Sequence, residues 1–316
     1  MIEEDTAMTK RSKSTALVKK RKRNYDNRGL LFIAPWLLGF LALQLYPMIS
    51  SLYYSFTDYS MGTDINWVGI KNYIDIFTRD PYFSQSVKVT LIYVVVAVPL
   101  KLAFALFIAV ILNQKLKGIN FFRAAFYIPS ILAGSISIAI LWKALFIKDG
   151  FINHLLGNVG IDPVSWYGTP GMALFTICIL TMWQFGSSMI LFLAGLQQIP
   201  YNLTEAAQID GAGKVRIFFR ITLPMLTPTI FFNVIMQTIN AFQEYTSAAI
   251  ITHGGPVYGT YLYGLKLYEE AFSNWRMGYA CALSWILFIV ILVFTVIMFM
   301  TSKKWVYYED GGVFDA

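Results

Sequence analysis

Six blocks of apolar residues, each long enough to cross a bilayer, set the terms on which this chain can fold. They lie at about residues 30–50, 87–112, 122–146, 172–195, 225–252 and 277–301. A helix needs about 20 predominantly apolar residues to span the hydrocarbon core. Apolar residues make up 57% of the chain and charged residues 14%, against about 45–50% and about 25% in soluble globular proteins. These values argue against a soluble enzyme, a disordered protein and a secreted disulfide scaffold. The expected fold is all-α and integral to the membrane, with six transmembrane helices. The first block is too long for a cleaved signal peptide, and no small-residue cleavage site follows it.

The cations assign the two sides. Nine of the 25 Lys and Arg residues, Lys10, Arg11, Lys13, Lys19, Lys20, Arg21, Lys22, Arg23 and Arg28, precede the first block. Lys115, Lys117 and Arg123 lie in the second connection, Lys214, Arg216 and Arg220 in the fourth, and Lys303 and Lys304 in the tail. The remaining connections hold fewer: Lys71, Arg79, Lys88, Lys148, Lys266 and Arg276. The positive-inside rule puts both termini and the second and fourth connections in the cytoplasm. Trp67, Trp142, Trp166, Trp275 and Tyr59 then fall near the opposite face. The net charge of +7 reads as an anchor at anionic lipid headgroups, not as a nucleic-acid surface. The chain divides into a basic cytoplasmic segment (1–29), a six-span domain (30–301) and a cytoplasmic tail (302–316).

Cys178 and Cys281 lie in apolar blocks and read as packed hydrophobes, not a disulfide. His154 and His253 stand apart from any ligand cluster, so no metal site is expected. Pro35, Pro47, Pro99, Pro129, Gly134 and Gly186 interrupt the spans. Such breaks suit a bundle that lines a pathway, and equally suit ordinary kinks. The first long connection allows a short amphipathic helix near residues 70–77.

The fourth connection is the most informative. It reads YNLTEAAQIDGAGKVRIFFRITLPMLTP, residues 201–228. Asn202 and Glu205 have the spacing of a capping pair, which predicts a helix start. Gly211 and Gly213 predict a turn. Val215, Ile217, Phe218, Phe219 and Ile221 predict a second helix running to Leu223, broken by Pro224. The product is a helix–turn–helix with Ala206 and Ala207 free for close packing. Gly211 to Lys214 reads like the end of a phosphate-binding loop, but Gln208 and Val215 stand where that loop needs Gly and Ser or Thr. No ATP site is therefore expected in this chain.

This connection resembles the signature of permease subunits of binding-protein-dependent ABC importers: Glu-Ala-Ala, three residues, Gly, nine residues, Ile, one residue, Leu-Pro. It falls on Glu205, Ala206, Ala207, Gly211, Ile221, Leu223 and Pro224, and Asp210 fits the common variant. PWLLGFLALQLYPMISSLYYSFTDYS (35–60), WVGIKNY (67–73), FRAAFYIPS (122–130) and HGGP (253–256) look like the carbohydrate-importing branch, with its maltose-type and glycerol-phosphate-type permeases. The resemblance covers about residues 28–308.

The resemblance implies a non-catalytic subunit in a bacterial cytoplasmic membrane, with a coupling helix between the fourth and fifth spans. The implied partners are a second permease chain, two copies of an ABC ATPase, an extracytoplasmic solute-binding protein and a sugar or oligosaccharide. ATP and Mg would be bound by the ATPase, and this chain itself needs no cofactor. It also implies sugar contacts in the helices flanking the coupling segment, at Trp183, Gln184, Ser187, Gln237, Asn240 and Glu244. Lys101 lies mid-span, where a charge is costly. It reads either as a counter-charge for an acidic sugar or as the partner of an internal carboxylate or of carbonyls freed by Pro99. The alternatives to this function are an ion-coupled carrier, with Glu244 as its intramembrane carboxylate, and an importer of glycerol-phosphate or another non-sugar solute.

Overall fold

The computed structural model describes residues 28–62, 64–114 and 117–307. The cations from Lys10 to Arg23, Lys115 and the tail beyond Tyr307 lie outside the described residues. Among the described residues the chain is helical, with one isolated bridge between Thr57 and Trp67. Three helices are long and apolar enough to cross a membrane: Phe32–Ser55, Phe83–Leu112 and Met277–Ser302. The other three apolar blocks form bent helix pairs, which makes the candidate spans three, or up to six if each pair is one span. The pairs are Ile119–Ile131 with Ile136–Leu145, Pro170–Trp183 with Gly186–Gln198, and Lys214–Met225 with Thr227–Phe242, bent by 100°, 46° and 65°.

The chain forms two units, residues 1–50 and 51–316. In the first, helix Arg28–Phe40 tolerates Pro35 and passes into a π-helical turn, Leu41–Leu45. Trp36 stacks on Phe40 with centroids 5.6 Å apart. In the second, helix Phe83–Leu112 is the axis of packing. Helices Pro170–Trp183, Gly186–Gln198 and Thr227–Phe242 pack against it. Its contact face carries Ala97, Ala105 and Ala109, all fully buried, and small residues let backbones approach closely where lipid supplies little hydrophobic drive.

The breaks have local causes. In the third span Pro129 lacks an N–H and Gly134 takes a left-handed φ of 76°. Residues 122–146 are therefore broken where Pro129 and Gly134 interrupt the block in the sequence. In the fourth, the break falls at Gln184 and Phe185, and the freed backbone groups are satisfied from the third span. Ser130 Oγ donates to the Gln184 carbonyl at 3.0 Å and accepts from the Ser187 N–H at 2.9 Å. A Cβ on Gly186 would stand 2.6 Å from the Phe126 carbonyl, so only glycine allows that approach. In the fifth, the helix ends at Phe242, short of the expected residue 252. Glu244 Oε1 accepts from the Ser247 N–H and hydroxyl at 2.9 and 2.7 Å, starting the turn that leads into π-helical Ala248–Thr252.

Trp142 is buried against Phe146 and near Trp183. The amphipathic helix of the first long connection is present as Lys71–Thr78. Asn72 Nδ2 ties it to the carbonyls of Ser55 and Thr57 at 2.9 and 2.8 Å.

The same end of the bundle holds a buried ionic network. Lys266, 1% exposed, places Nζ 2.6 Å from Asp80 and 3.6 Å from Glu270. Arg276 pairs with Glu270 at 3.2 Å and lies over the Tyr279 ring. The Tyr279 hydroxyl donates to Asp80 Oδ2 at 2.5 Å. The network joins the start of the second span, helix Tyr263–Tyr268 and the start of the sixth span. Burial pushes the Asp80 carboxyl up, but hydrogen bonds from Lys266 and Tyr279 and the lysine charge outweigh it and hold it below 3.8.

Removing one partner of a buried pair costs about 3–5 kcal/mol, because the other charge is left uncompensated. Lys266→Met is expected to lower detergent-solubilised stability by about that amount, and Asp80→Asn with Lys266→Met by less, as read by thermal unfolding. The Asp80 contribution is complete above pH 3.8 and disappears as pH falls through its lowered value. Without Lys266 burial raises the Asp80 carboxyl, so the Lys266→Met defect should begin to shrink at a pH above that at which wild-type Asp80 titrates.

Candidate functional site

Two regions gather the residues singled out in the sequence. The first is the segment from Tyr201 to Met225. Helix Tyr201–Ile209 starts directly after Pro200, which occupies the N-cap position with ψ 125° and offers no capping side chain. Asn202 therefore sits inside the first turn, and the expected Asn202–Glu205 capping pair does not form. The end of the helix is a Schellman motif. Ala212 N–H donates to the Ala207 carbonyl at 2.9 Å and Gly211 N–H to the Gln208 carbonyl at 3.0 Å. Gly211 takes a φ of 79°, so the signature glycine is the residue the motif needs at that left-handed position.

Beyond the turn, Lys214–Ile217 passes into a π-helical turn, Phe218–Thr222, and then into Leu223–Met225. The widened turn accommodates Pro224, which has no N–H to give to an i−4 carbonyl. Pro224 thus does not end the helix as expected. The chain bends after Met225, by 65°.

Helix Tyr201–Ile209 has no buried residue. Tyr201 and Ile209 are 73% and 82% exposed, and Val215 and Phe219 also stand in the open. Glu205, Ala206 and Asp210 are exposed, and Ala207, Ile221 and Leu223 half-buried. Glu205 makes no hydrogen bond or ion pair with a described residue. Beyond the turn, a cleft of about 310 Å³ is lined by Ala212, Arg216, Ile217, Arg220 and Ile221. An exposed segment with large apolar side chains, an unpartnered carboxylate and two arginines is equipped to bind another protein.

The second region is a cavity of about 320 Å³ within the helical bundle. Gln184, Gln237, Asn240 and Glu244 line it together with Tyr93, Lys101, Thr181 and Gly134. Gln237 and Asn240 share one face of helix Thr227–Phe242 by their spacing, and Glu244 lies just beyond its end. The side-chain amides of Gln184, Gln237 and Asn240 make no hydrogen bond with a described residue, so they are free for a ligand. Tyr93 Oη and Thr181 Oγ1 are 2.7 Å apart. Trp183 and Ser187 do not line the cavity. Trp183 lies beside Trp142, with centroids 5.7 Å apart, and Ser187 gives its N–H to Ser130. Tyr93 and Thr181 were missed in the sequence. Tyr93 and Lys101 are eight residues apart, close to two helical turns, and that spacing was the available signal. Among the described residues no group of His, Cys, Asp or Glu has metal-binding geometry.

Residues 87–305 match the family described as binding-protein-dependent transport system inner membrane component. The chain is 50% identical over 299 residues to the probable ABC transporter permease protein YesP of Bacillus subtilis (strain 168), covering 93% of this chain and 97% of that one. It is 32% identical over 290 residues to the lactose transport system permease protein LacF of Rhizobium radiobacter, covering 90% and 96%. Its fold is similar to a chain of the bacterial alginate ABC transporter crystallised with an alginate pentasaccharide-bound periplasmic protein. The TM-score is 0.74 at 21% identity, over 87% of this chain and 93% of that one.

If the cavity is wet, a thiol placed on its wall is reactive and one in the packed core is not. In a background lacking the native cysteines, Gln184→Cys and Asn240→Cys are expected to react with a charged methanethiosulfonate at least ~10-fold faster than Ile177→Cys. Labelling rates measured in membranes check this.

Proposed function

Because the chain belongs to the family of binding-protein-dependent transport system inner membrane components, we propose that it forms half of the membrane pathway of an ATP-driven saccharide importer. The observation that carries the reading is the segment 201–224, an intact Glu-Ala-Ala signature held on an exposed helix–turn–helix. An ion-coupled carrier has no use for such a segment.

In this reading both termini and the segment face the cytoplasm, with residues 1–29 as a basic anchor, 30–301 as the transport domain and 302–316 as a tail. Helix Tyr201–Ile209 docks in a cleft of a cytoplasmic ABC ATPase. Glu205 meets donor or basic groups there, Ala206 and Ala207 permit close approach, and the Schellman turn at Asp210 and Gly211 fixes the angle of the following helix. Ile221, Leu223 and Pro224 pass the movement into the fifth span. Two ATPase copies bind ATP and Mg, and their closure drives the helices together and opens the bundle outward. A second permease chain completes the pathway, and an extracytoplasmic binding protein delivers the cargo.

The cavity suits a saccharide. Gln184, Gln237, Asn240 and Glu244 supply amide and carboxylate partners for hydroxyls. The cavity, about 320 Å³, falls in the size range of small-molecule sites. Relatives whose names carry lactose and sn-glycerol-3-phosphate support a small polyhydroxylated cargo. Trp183 and Ser187 act in this reading by positioning the broken fourth span.

Ile209→Asp and Glu205→Lys, both on the exposed segment, are expected to leave the chain folded and inserted. Each should reduce co-purification with the ATPase and lower ATP-driven uptake at least ~10-fold, the scale of a central interface residue. Wild-type uptake in both variants would overturn the docking role.

A further inference from the structure

Three lysines lie within or against the helical bundle, and two of them have partners. Lys266 is paired with Asp80 and Glu270. Lys143 Nζ donates to the Ile250 carbonyl at 3.3 Å. Lys101 is different. It is 8% exposed, lies two residues after Pro99 in helix Phe83–Leu112, and makes no hydrogen bond or ion pair with a described residue. The carbonyls loosened by Pro99 do not receive it. Its charged neighbour is Glu244 across the same cavity, but Glu244 Oε1 is already committed to Ser247. An ammonium inside a membrane bundle is expensive unless something pairs with it, and here it faces a cavity lined by free amides.

Resting on the saccharide reading above, we propose that Lys101 binds a carboxylate of the cargo, which is an acidic, uronate-type saccharide. With Lys101 and Glu244 both in the cavity, a cargo carboxylate leaves one net negative charge, whereas a phosphate monoester, at about −1.5 to −2 at neutral pH, leaves more. The free amides of Gln184, Gln237 and Asn240 serve the hydroxyls, and Glu244, fixed by Ser247, accepts from a hydroxyl opposite the lysine. Glu244 offsets the lysine charge only across the cavity, and a cargo carboxylate gives the ammonium a direct partner, so the same charge that selects acidic sugars disfavours neutral ones.

The test uses the complete importer in proteoliposomes, with the same binding protein throughout. Uptake is measured for galacturonate, glucuronate and mannuronate disaccharides, their methyl esters, neutral disaccharides, glucose 6-phosphate and glycerol 3-phosphate. The expected result is uptake of a uronate disaccharide that falls at least ~10-fold in Lys101→Gln and is largely kept in Lys101→Arg, as for loss of one partner of a buried charge pair. Co-purification of the variants with their partners separates this from failed assembly. If Lys101→Gln does not assemble, the wild-type ratio of acid to methyl ester decides, and equal uptake of the two overturns the proposal. Uptake of neutral saccharides alone, preference for the phosphates, or uronate uptake undiminished in an assembled Lys101→Gln variant overturns it too. Uptake of none of the saccharides removes the saccharide reading itself, and this proposal with it.

Discussion

In hydrocarbon every backbone N–H and C=O must find a partner within the protein, because an unpaired group costs several kcal/mol. The arrangement of this chain follows from how it meets that demand where its helices are broken. Ser130 is the clearest instance: one hydroxyl serves the Gln184 carbonyl and the Ser187 N–H on the two sides of the break in the fourth span. Gly186 makes this possible by letting the fourth span approach the backbone of the third. At the end of the fifth-span helix the Glu244 carboxylate does comparable work for Ser247. The helices are interrupted where a neighbour, or the chain's own side chain, closes the account.

The cavity is a consequence of these interruptions. Gly134 lies at the break of the third span, Gln184 at that of the fourth and Glu244 just beyond the helix of the fifth, and all three line the same space. Helix Phe83–Leu112 supplies the opposite wall with Tyr93, Val98 and Lys101. Continuous helices packed through alanine, as this helix is at Ala97, Ala105 and Ala109, leave little room between them. Broken ones turn their chain ends and polar side chains into the gap.

Much of this was legible in the sequence, because length of apolar block and side-chain charge are one-dimensional properties. The six blocks, the helix of residues 71–78 and the Glu-Ala-Ala signature could all be read directly. The positions of the breaks could not. Pro129 and Gly134 marked the third span as irregular, but a bend of 100° depends on which neighbour receives the freed groups. Asn202 and Glu205 had the spacing of a capping pair, yet Pro200 sets the helix start two residues earlier than that pair requires. Trp183 and Gln184 are adjacent in sequence and point to different surroundings, the tryptophan to the aromatic cluster and the amide to the cavity. Assigning faces at a helix break needs the break itself.

The two regions are joined through one short path. The fifth-span helix carries Gln237 and Asn240, ends just before Glu244, and begins at Thr227, directly after the bend that follows Met225. On the other side of that bend lie Ile221, Leu223 and Pro224, and beyond them the Schellman turn at Gly211. A rotation of the exposed segment therefore reaches the cavity through helical elements with a single sharp bend between them. Leu226 is buried at that bend, and a Cβ on Gly195 would stand 2.9 Å from its side chain. The joint is thus held against the fourth span by packing, and packed contacts switch between discrete arrangements more readily than they deform continuously. In the proposed importer such a joint carries movement as a change of packing partner at Leu226 and Gly195, which lie outside both regions that the sequence marks as functional.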